Sequence, residues 1–345
     1  MKTVLVGLSG GVDSSVCAYL LKKNGYRVIG VTLRLGQGEE AAEDAAKVAR
    51  HLEIPFHVVD YREQFRCKVI DYFIKEYTEG KTPNPCIRCN RYMKWEAMLQ
   101  LADEMGAEYI ATGHYARIDR LPNGRLAIRN SVTAGKDQTY ALYLLTQEQL
   151  ERTLMPIGEY TKEQIRELAK EAKIPVADKP DSQEICFVPE DDYAAFIDAN
   201  LPEDVSLTGN FVTREGRVLG PHKGITHYTK GQRRGLDLPM GERVFVTGIC
   251  PDTKDVIIGK NEELFTTRVI CEDVNYMGME ALEEPRRVWA KIRYNHKGEY
   301  CTIRQISESR IEAIFEAPVR AATPGQALCF YEGEYLLGGG TITEK

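Results

Sequence analysis

The feature that most constrains the fold is a loop rich in glycine and serine near the start of the chain. Residues 3–8 form an apolar run typical of a buried strand, residues 14–24 follow a helical pattern, and the segment 9–14, SGGVDS, joins them. At such a junction the free N–H groups and the positive dipole end of the helix face the loop. Because glycines let the backbone approach an anion closely and serines add hydroxyl donors, the loop predicts a phosphate site. The alternative is a tight strand-to-helix turn with a serine cap.

Strand and helix patterns alternate through the first 200 residues, which predicts an α/β fold with a doubly wound parallel sheet. Further strands are expected at 27–33, 55–59 and 108–112. Helices are expected at 39–52, 63–77, 91–105, 161–172 and 191–199.

The pattern changes near residue 207, where short β segments separated by glycines begin. From about residue 268 the strand patterns are evenly spaced, at 288–294, 299–305, 310–315 and 326–331. Evenly spaced short strands are typical of a small barrel or sandwich. We therefore predict three domains: the α/β domain at 1–200, a small β-rich central domain at 201–267 and a C-terminal β-barrel domain at 268–345.

Composition argues against several classes of protein. No apolar run approaches the roughly 18–20 residues of a membrane span, and the short apolar start leads into a glycine loop, unlike a signal peptide. The nine cysteines are an odd number spread over a long chain, which argues against a disulfide framework. The net charge of −6 gives no overall attraction for nucleic acid. We expect a cytoplasmic protein with no membrane partner, in which a few thiols are chemically special. The cysteines expected in the core are Cys17, Cys67, Cys250, Cys271, Cys301 and Cys329.

Two cysteines have Cys-x-x-Cys spacing. Cys86 and Cys89 lie in a proline-rich loop before a helix expected from about Arg91. A thiol at a helix N-terminus has a lowered pKa, and we expect Arg88 and Arg91 to lower it further. A structural zinc site usually takes two such pairs, and the chain has only one. A thioredoxin-type dithiol and two buried small side chains are the alternatives, and Cys186 is a third candidate thiol.

The loop resembles the PP-loop of the ATP pyrophosphatase family, which implies transfer of AMP from ATP to an oxygen, with release of pyrophosphate. Amide-forming ligases and tRNA-thiolating enzymes both use this loop. Further motifs make the chain similar, over nearly its whole length, to the bacterial tRNA 2-thiouridylase family. They are TPNP at 82–85 with CN at 89–90, ATGHY at 111–115, KDQTY at 136–140, DSQEIC at 181–186, YTKGQRRG at 228–235, IRY at 292–294 and PGQ at 324–326.

The resemblance implies roles for particular residues. Cys89 and Cys186 would be the catalytic pair. ATP would be held, with Leu33 near the adenine, by Gly7, Leu8, Ser9, Gly10, Gly11, Val12, Asp13, Ser14, Leu33 and Gly113. The flipped target base would be bordered by Asn84, Pro85 and Cys86. Contacts to tRNA would come from His114, Lys136, Asp137, Gln138, Arg293, Tyr294 and Gln326. Asp13 either helps to bind Mg²⁺ with ATP or simply places a carboxylate in the first turn of the helix.

Two routes for sulfur are compatible with these residues. A partner protein would donate the sulfur, as persulfide or as sulfide. In the first route Cys186 carries a persulfide, and attack by Cys89 on its inner sulfur leaves a disulfide. The second follows from Cys86, because many members of the family have Asp there: Cys86, Cys89 and Cys186 would hold an iron–sulfur cluster with one open iron. The segment 35–40 is also shorter than an acidic insertion that the family often has.

Two basic segments are candidates for the tRNA surface. Residues 217–234 contain five Lys or Arg and no Asp or Glu, and residues 286–297 have the same counts. Such segments suit a track of phosphates, and Tyr228 and Tyr294 could stack on bases.

Two other functions remain open from the residues. An amide-forming PP-loop ligase would not need Cys89 and Cys186, and it would turn over ATP without tRNA. A non-catalytic tRNA-binding protein with a vestigial loop is disfavoured, because the loop residues Ser9, Gly10, Gly11, Asp13 and Ser14 are all present.

Overall fold

A computed structural model describes residues 1–36, 39–180 and 185–343. Residues 181–184 of the DSQEIC motif and residues 37–38 of the short segment 35–40 lie outside the described residues. No described helix is long and apolar enough to cross a membrane.

The secondary structure follows the predicted change from mixed to all-β. The strands are β1 Thr3–Gly7, β2 Arg27–Arg34, β3 Phe56–Asp60, β4 Tyr109–Ala111, β5 Ala116–Arg120, β6 Leu126–Asn130, β7 Thr153–Leu154, β8 Gly209–Val212, β9 Val218–His222, β10 Phe245–Cys250, β11 Asp255–Gly259, β12 Phe265–Tyr276, β13 Arg286–Lys291, β14 Glu299–Ser307, β15 Arg310–Arg320, β16 Ala327–Glu332 and β17 Tyr335–Ile342. The helices are α1 Val12–Lys23, α2 Glu39–His51, α3 Arg62–Phe65, α4 Asp71–Thr78, α5 Pro85–Arg88, α6 Met98–Glu104, α7 Gln147–Glu151, α8 Lys162–Glu171 and α9 Tyr193–Asp198. Wider π-helical turns, Arg66–Ile70 and Cys89–Ala97, join α3 to α4 and α5 to α6.

The first sheet is parallel, with the strand order β3-β2-β1-β4-β7. Successive residues of β1 face opposite sides: Leu5 belongs to one buried cluster, and Val4 and Val6 to another. The sheet is therefore covered on both faces, as predicted for a doubly wound fold. The strand order reverses at β1, and ligands of such sheets bind at the carboxyl ends of the strands beside this point.

Two β units follow. Strands β10-β11-β8-β9 form a four-stranded sheet around a core that includes Phe211 and Val246. In the last unit the strands run β12-β15-β14-β13-β16-β17, and pairing of β12 with β17 closes the barrel. The predicted fold class is thus confirmed, while the domain limits at residues 200 and 268 stay a prediction.

One hairpin was not predicted. Strands β5 and β6 pair with each other, and β6 pairs with β17, so a segment from the first 200 residues extends the barrel sheet. Strand β17 lies some 200 residues after β6 in the chain, so the pairing of the two leaves no local signal in the sequence.

The helix that carries Cys86 and Cys89 begins earlier than predicted. Asn84 caps it, its side-chain oxygen accepting a hydrogen bond from the Cys86 backbone N–H at 3.1 Å, and Pro85 occupies the first turn. Helical structure then continues to Glu104. Both cysteines therefore lie inside the helix, where a loop before Arg91 was predicted.

Candidate nucleotide and thiol site

The PP-loop leaves β1 and enters α1 without a capping side chain. The N-cap residue of α1 is Gly11, which has no side chain to accept hydrogen bonds from the first N–H groups of the helix. The loop is closed by serine contacts instead: the Ser9 N–H donates to Ser14 Oγ at 3.1 Å, and the Ser14 hydroxyl donates to the Gly11 carbonyl at 3.2 Å. An uncapped helix N-terminus of this kind is suited to an anion.

Two glycines of the predicted ATP set are sterically required. Gly10 has φ +71°, and an added Cβ would lie 2.5 Å from the carbonyl oxygen of Ala41. At Gly113 an added Cβ would lie 2.6 Å from the backbone nitrogen of Ser14. Gly113, just after β4, therefore packs directly against the start of α1. The structure brings the two separate motifs together at the carboxyl end of the sheet.

Asp13 is held from outside the loop. Its Oδ1 accepts hydrogen bonds from the Tyr115 hydroxyl at 2.8 Å and from Lys162 Nζ at 2.7 Å. In the described part of the chain no group of three His, Cys, Asp or Glu side chains is arranged to hold a metal ion. Mg²⁺ that arrives with nucleotide needs only one or two protein carboxylates beside the phosphates, and Asp13 fits that donor set. Sequence reasoning missed Lys162, since nothing local to it points to the loop.

The thiols differ sharply in exposure. Cys86 is exposed, whereas Cys89, one turn later, is 7% exposed and is buried with Phe65, Val69 and Met93. Leu33, the predicted adenine neighbour, packs against this cluster and also against the core of the parallel sheet. Leu33 therefore contacts both the core of the parallel sheet and the cluster that buries the Cys89 thiol.

The expected lowering of the Cys89 pKa is wrong. Burial raises the pKa of the Cys89 thiol to about 12, and the nearby Lys94 offsets this only in part. The two arginines expected to help are used elsewhere: Arg88 lies over the Tyr72 ring at 4.0 Å, and Arg91 donates to Gln149. Desolvation therefore outweighs both the helix dipole and the basic neighbours.

Cys186 lies near the same cluster. Its neighbour Phe187 packs against Phe65, with ring centroids 5.6 Å apart. The negative charges that Cys186 and Cys86 would carry contribute to raising the pKa of Cys89, so both of these thiols lie within electrostatic range of Cys89. No disulfide joins Cys86, Cys89 or Cys186 to another of the described cysteines. The prediction that Cys67 is a core residue is wrong, because Cys67 is exposed.

The predicted order of thiol reactivity gives a direct test. Because the thiolate is the reactive form, Cys89 should be alkylated far more slowly than Cys86, Cys186 and Cys67 in the native protein near neutral pH. A raised pKa means that its rate should keep rising as the pH increases toward about 12. Iodoacetamide labelling followed by peptide mass spectrometry measures this order. Labelling of Cys89 as fast as Cys86 at neutral pH would contradict the burial account.

Several predicted tRNA contacts hold the protein's own loops. His114 is buried, its Nδ1 hydrogen-bonded with the Thr112 hydroxyl, and burial holds its pKa well below the usual range. Other predicted tRNA residues also bond to the protein's own backbone. Asp137 Oδ2 accepts a hydrogen bond from the Ser131 N–H, and Gln138 Oε1 accepts one from the Tyr115 N–H. Arg293 Nη1 donates to the Arg320 carbonyl, and Gln326 Nε2 donates to the Thr82 carbonyl. These side chains therefore hold the protein's own loops in place around the site.

Tyr294 is the predicted tRNA residue that remains most open. The residue is 40% exposed, and its hydroxyl donates to the Asp137 carbonyl at 3.0 Å. The charges of Cys86 and of half-buried Lys136 both act on its pKa, so it lies between the thiol helix and the 136–138 segment. By contrast, the proposed stacking role of Tyr228 is wrong: Tyr228 is 4% exposed and packs against Phe211.

The two basic segments are not equally available. Arg286 and Arg287 of the second segment pair with Glu332 and Glu316. In the first segment Arg233 and Arg234 are exposed, and neither forms an ion pair with a described residue. The first segment thus offers more uncompensated positive charge than the second.

A cleft of about 820 Å³ lies away from the PP-loop, between the thiol helix and the barrel. Asn84 and Arg88 line it on one side, and Asp273 and Arg310 on the other. It reaches the predicted base-bordering residue Asn84 but none of the loop residues, so its size does not locate the nucleotide.

Comparison with known families follows the three units of the chain. A tRNA methyl transferase HUP domain model matches residues 2–190, a tRNA methyl transferase PRC-barrel domain model matches residues 194–260, and an aminomethyltransferase beta-barrel domain model matches residues 266–342. Among solved structures, a 4-thiouridine synthetase in complex with RNA and ATP is 19% identical over 59% of this chain and 51% of its own, with a TM-score of 0.37, too low to support an inference.

Full-length relatives are much closer. The tRNA-specific 2-thiouridylase MnmA of Lachnoclostridium phytofermentans is 54% identical, covering 99% of each chain. Those of Clostridium acetobutylicum and Clostridioides difficile are 50% and 49% identical, over 99% and 100% of this chain and 99% of each relative. At this identity and coverage, the chain belongs to the tRNA-specific 2-thiouridylase family.

Proposed function

We propose that the protein uses ATP to activate the 2-oxo group of the wobble uridine in tRNA and replaces that oxygen with sulfur. One observation carries the proposal: the helix that bears Cys86 and Cys89 packs onto the strand that leads into the PP-loop. A Cβ on Gly7, the last residue of β1, would lie 3.1 Å from Met98 Sδ on the far part of that helix. A nucleotide loop and a pair of thiols on one rigid support suit activation followed by sulfur transfer.

Activation makes the oxygen a leaving group. The uridine oxygen attacks the α-phosphorus of ATP, pyrophosphate leaves, and the oxygen becomes part of AMP. The loop would supply backbone N–H groups for the phosphates, and Asp13 would supply a carboxylate oxygen for the Mg²⁺ that accompanies ATP. Because the reacting atom lies inside a stacked anticodon loop, the base must be turned out of its stack to reach the site.

Sulfur then arrives through Cys186. Exposure suits this thiol to accept sulfur from a persulfide-bearing partner protein. Attack of the Cys89 sulfur on the inner sulfur of the Cys186 persulfide forms a Cys89–Cys186 disulfide and releases the outer sulfur, with its electron pair, as hydrosulfide. Hydrosulfide adds to C2 of the uridine and AMP leaves. An external thiol reductant restores both cysteines.

The burial of Cys89 would control when the disulfide forms in this series of reaction steps. A thiol with a pKa of about 12 stays protonated in the resting enzyme and does not form the disulfide prematurely. We propose that Cys89 is deprotonated only when tRNA binding changes its surroundings.

An iron–sulfur cluster is the alternative use of the three cysteines. Three thiolates that hold a cluster must converge on it. The described side chains of Cys86, Cys89 and Cys186 form no group arranged to hold a metal ion, so they do not fit a preformed cluster. The sulfur transfer proposed here uses the thiols alone, and we assign Cys86 to the border of the target base with Asn84 and Pro85.

The decisive experiment supplies ATP, unmodified tRNA and a persulfide donor, and measures AMP, pyrophosphate and 2-thiouridine. We expect all three products to require tRNA. Pyrophosphate release without tRNA would favour an amide-forming ligase, and tRNA binding without any pyrophosphate would favour a non-catalytic binding protein.

The exposed arginines of the first basic segment give a prediction for tRNA. Arg233→Glu together with Arg234→Glu should weaken tRNA binding and reduce the slope of log affinity against log salt by about one for each phosphate that is no longer neutralised. Filter binding at several salt concentrations measures both. A matched charge reversal at exposed Lys170 on α8 should have little effect. An unchanged slope in the double variant would mean that these arginines do not contact phosphates.

A further inference from the structure

Lys162 is a buried lysine that the sulfur chemistry does not use. It is the first residue of α8, and it is 7% exposed. Thr161 caps this helix in a capping box with Gln164, which holds the backbone of the first turn, where Lys162 lies.

The Lys162 ammonium lies against the PP-loop carboxylate. Nζ donates to Asp13 Oδ1 at 2.7 Å, and the same oxygen accepts the Tyr115 hydroxyl at 2.8 Å. The ammonium also lies 5.7 Å from the centroid of the Tyr115 ring. Two donors from different parts of the chain thus converge on one oxygen of Asp13.

A purely structural tie between α8 and α1 is the simpler explanation for this ion pair. However, Ile165 and Ala169 of α8 are fully buried in the same apolar cluster as Val16 of α1, so the two helices already pack without it. Burying an ammonium costs free energy that ion pairing only partly offsets. The ion pair is therefore expected to add little to the stability of the fold, and its location suggests a different role.

Asp13 lies in the first turn of α1, within the loop that is suited to bind an anion. Asp13 would meet the Mg²⁺ of the nucleotide, but its own negative charge still opposes the negative charge of the triphosphate, and more so where water is excluded. A cation hydrogen-bonded to the carboxylate, as Lys162 is, offsets that charge and fixes the direction in which the carboxylate points.

We propose that Lys162 is a positioning residue for the triphosphate of ATP: together with Tyr115 it fixes Asp13 and offsets its charge, so that the loop accepts the β- and γ-phosphates. The proposal rests on the proposed function in one respect, that the loop binds ATP. It predicts selectivity for the number of phosphates on the nucleotide, which a structural tie does not.

Isothermal titration of the full-length protein with ATP and Mg²⁺, and separately with AMP, provides the test. Lys162→Met should weaken ATP binding by roughly tenfold or more, as for loss of a buried charged partner, and AMP binding by less than about twofold. Lys170→Met, on an exposed position of the same helix, is the matched control and should change neither. Equal losses for ATP and AMP, or no loss for ATP, would overturn the proposal.

A double-mutant cycle with Asp13→Asn shows whether Lys162 acts through Asp13. If it does, adding Lys162→Met to Asp13→Asn should cost much less ATP affinity than Lys162→Met alone. Additive losses would overturn the positioning role. Binding is measured without tRNA or sulfur, so a wild-type protein that binds ATP but forms no 2-thiouridine would contradict the proposed function while leaving this result intact.

Discussion

Cys186→Ala is expected to abolish sulfur transfer to tRNA while leaving tRNA-dependent release of pyrophosphate. The exposed thiol is the only proposed carrier of the outer sulfur, so its loss should reduce 2-thiouridine formation on the order of a thousandfold or more. The PP-loop is built from β1, α1 and the turn after β4, none of which contains Cys186. Mass spectrometry of tRNA nucleosides measures the sulfur product, and a pyrophosphate assay measures activation in the same reaction.

Cys67→Ala is the matched control for this prediction. Cys67 is also exposed, but it lies in the π-helical turn before α4 and has no proposed role, so both products should form normally. Cys89→Ala should behave like Cys186→Ala in thiolation but should still accept a persulfide on Cys186. Full thiolation by Cys186→Ala would refute the assignment of the sulfur carrier.

Gly113→Ala is expected to disable the nucleotide site. The new Cβ would lie 2.6 Å from Ser14 N and 2.9 Å from Ser14 Cα, both backbone atoms, so the start of α1 must move. Overpacking of this kind costs about 1–3 kcal/mol, and here the displaced groups are the N–H donors meant for phosphate. We expect ATP affinity to fall at least about tenfold, measured by titration calorimetry, with a smaller fall in melting temperature.

Gly135→Ala serves as the control for adding a methyl group. A Cβ at Gly135 meets no atom within 4 Å, so ATP binding should be unchanged. Gly113→Ala with wild-type ATP affinity would mean that the contact between the β4 turn and α1 does not shape the nucleotide site.

Local patterns in the sequence predicted the parallel sheet, the glycine-rich loop between β1 and α1, and the change to β structure, because each depends on residues that are neighbours in the chain. The Cys89 pKa could not be predicted in this way. The helix position and the nearby arginines are visible locally, but the burial of Cys89 by Phe65 and Met93 comes from packing between separate helices. Desolvation is the larger effect, and it reversed the sign of the expected shift.

Other missed features also depend on distant partners. Lys162 meets Asp13 across 149 positions of the chain. Tyr228 is removed from solvent by Phe211 and His222, although its basic flanks suggested an exposed RNA-binding position. The roles taken from the family resemblance, for Leu33 or Tyr294 for example, remain proposals.

The most direct test of the central claim, that one site joins activation to sulfur transfer, is a single-turnover stoichiometry. Enzyme carrying one persulfide on Cys186 is mixed with excess ATP and unmodified tRNA, and AMP, 2-thiouridine and the Cys89–Cys186 disulfide are quantified. The account predicts equal amounts of all three. AMP formed in large excess over 2-thiouridine, or 2-thiouridine formed without AMP, would contradict it.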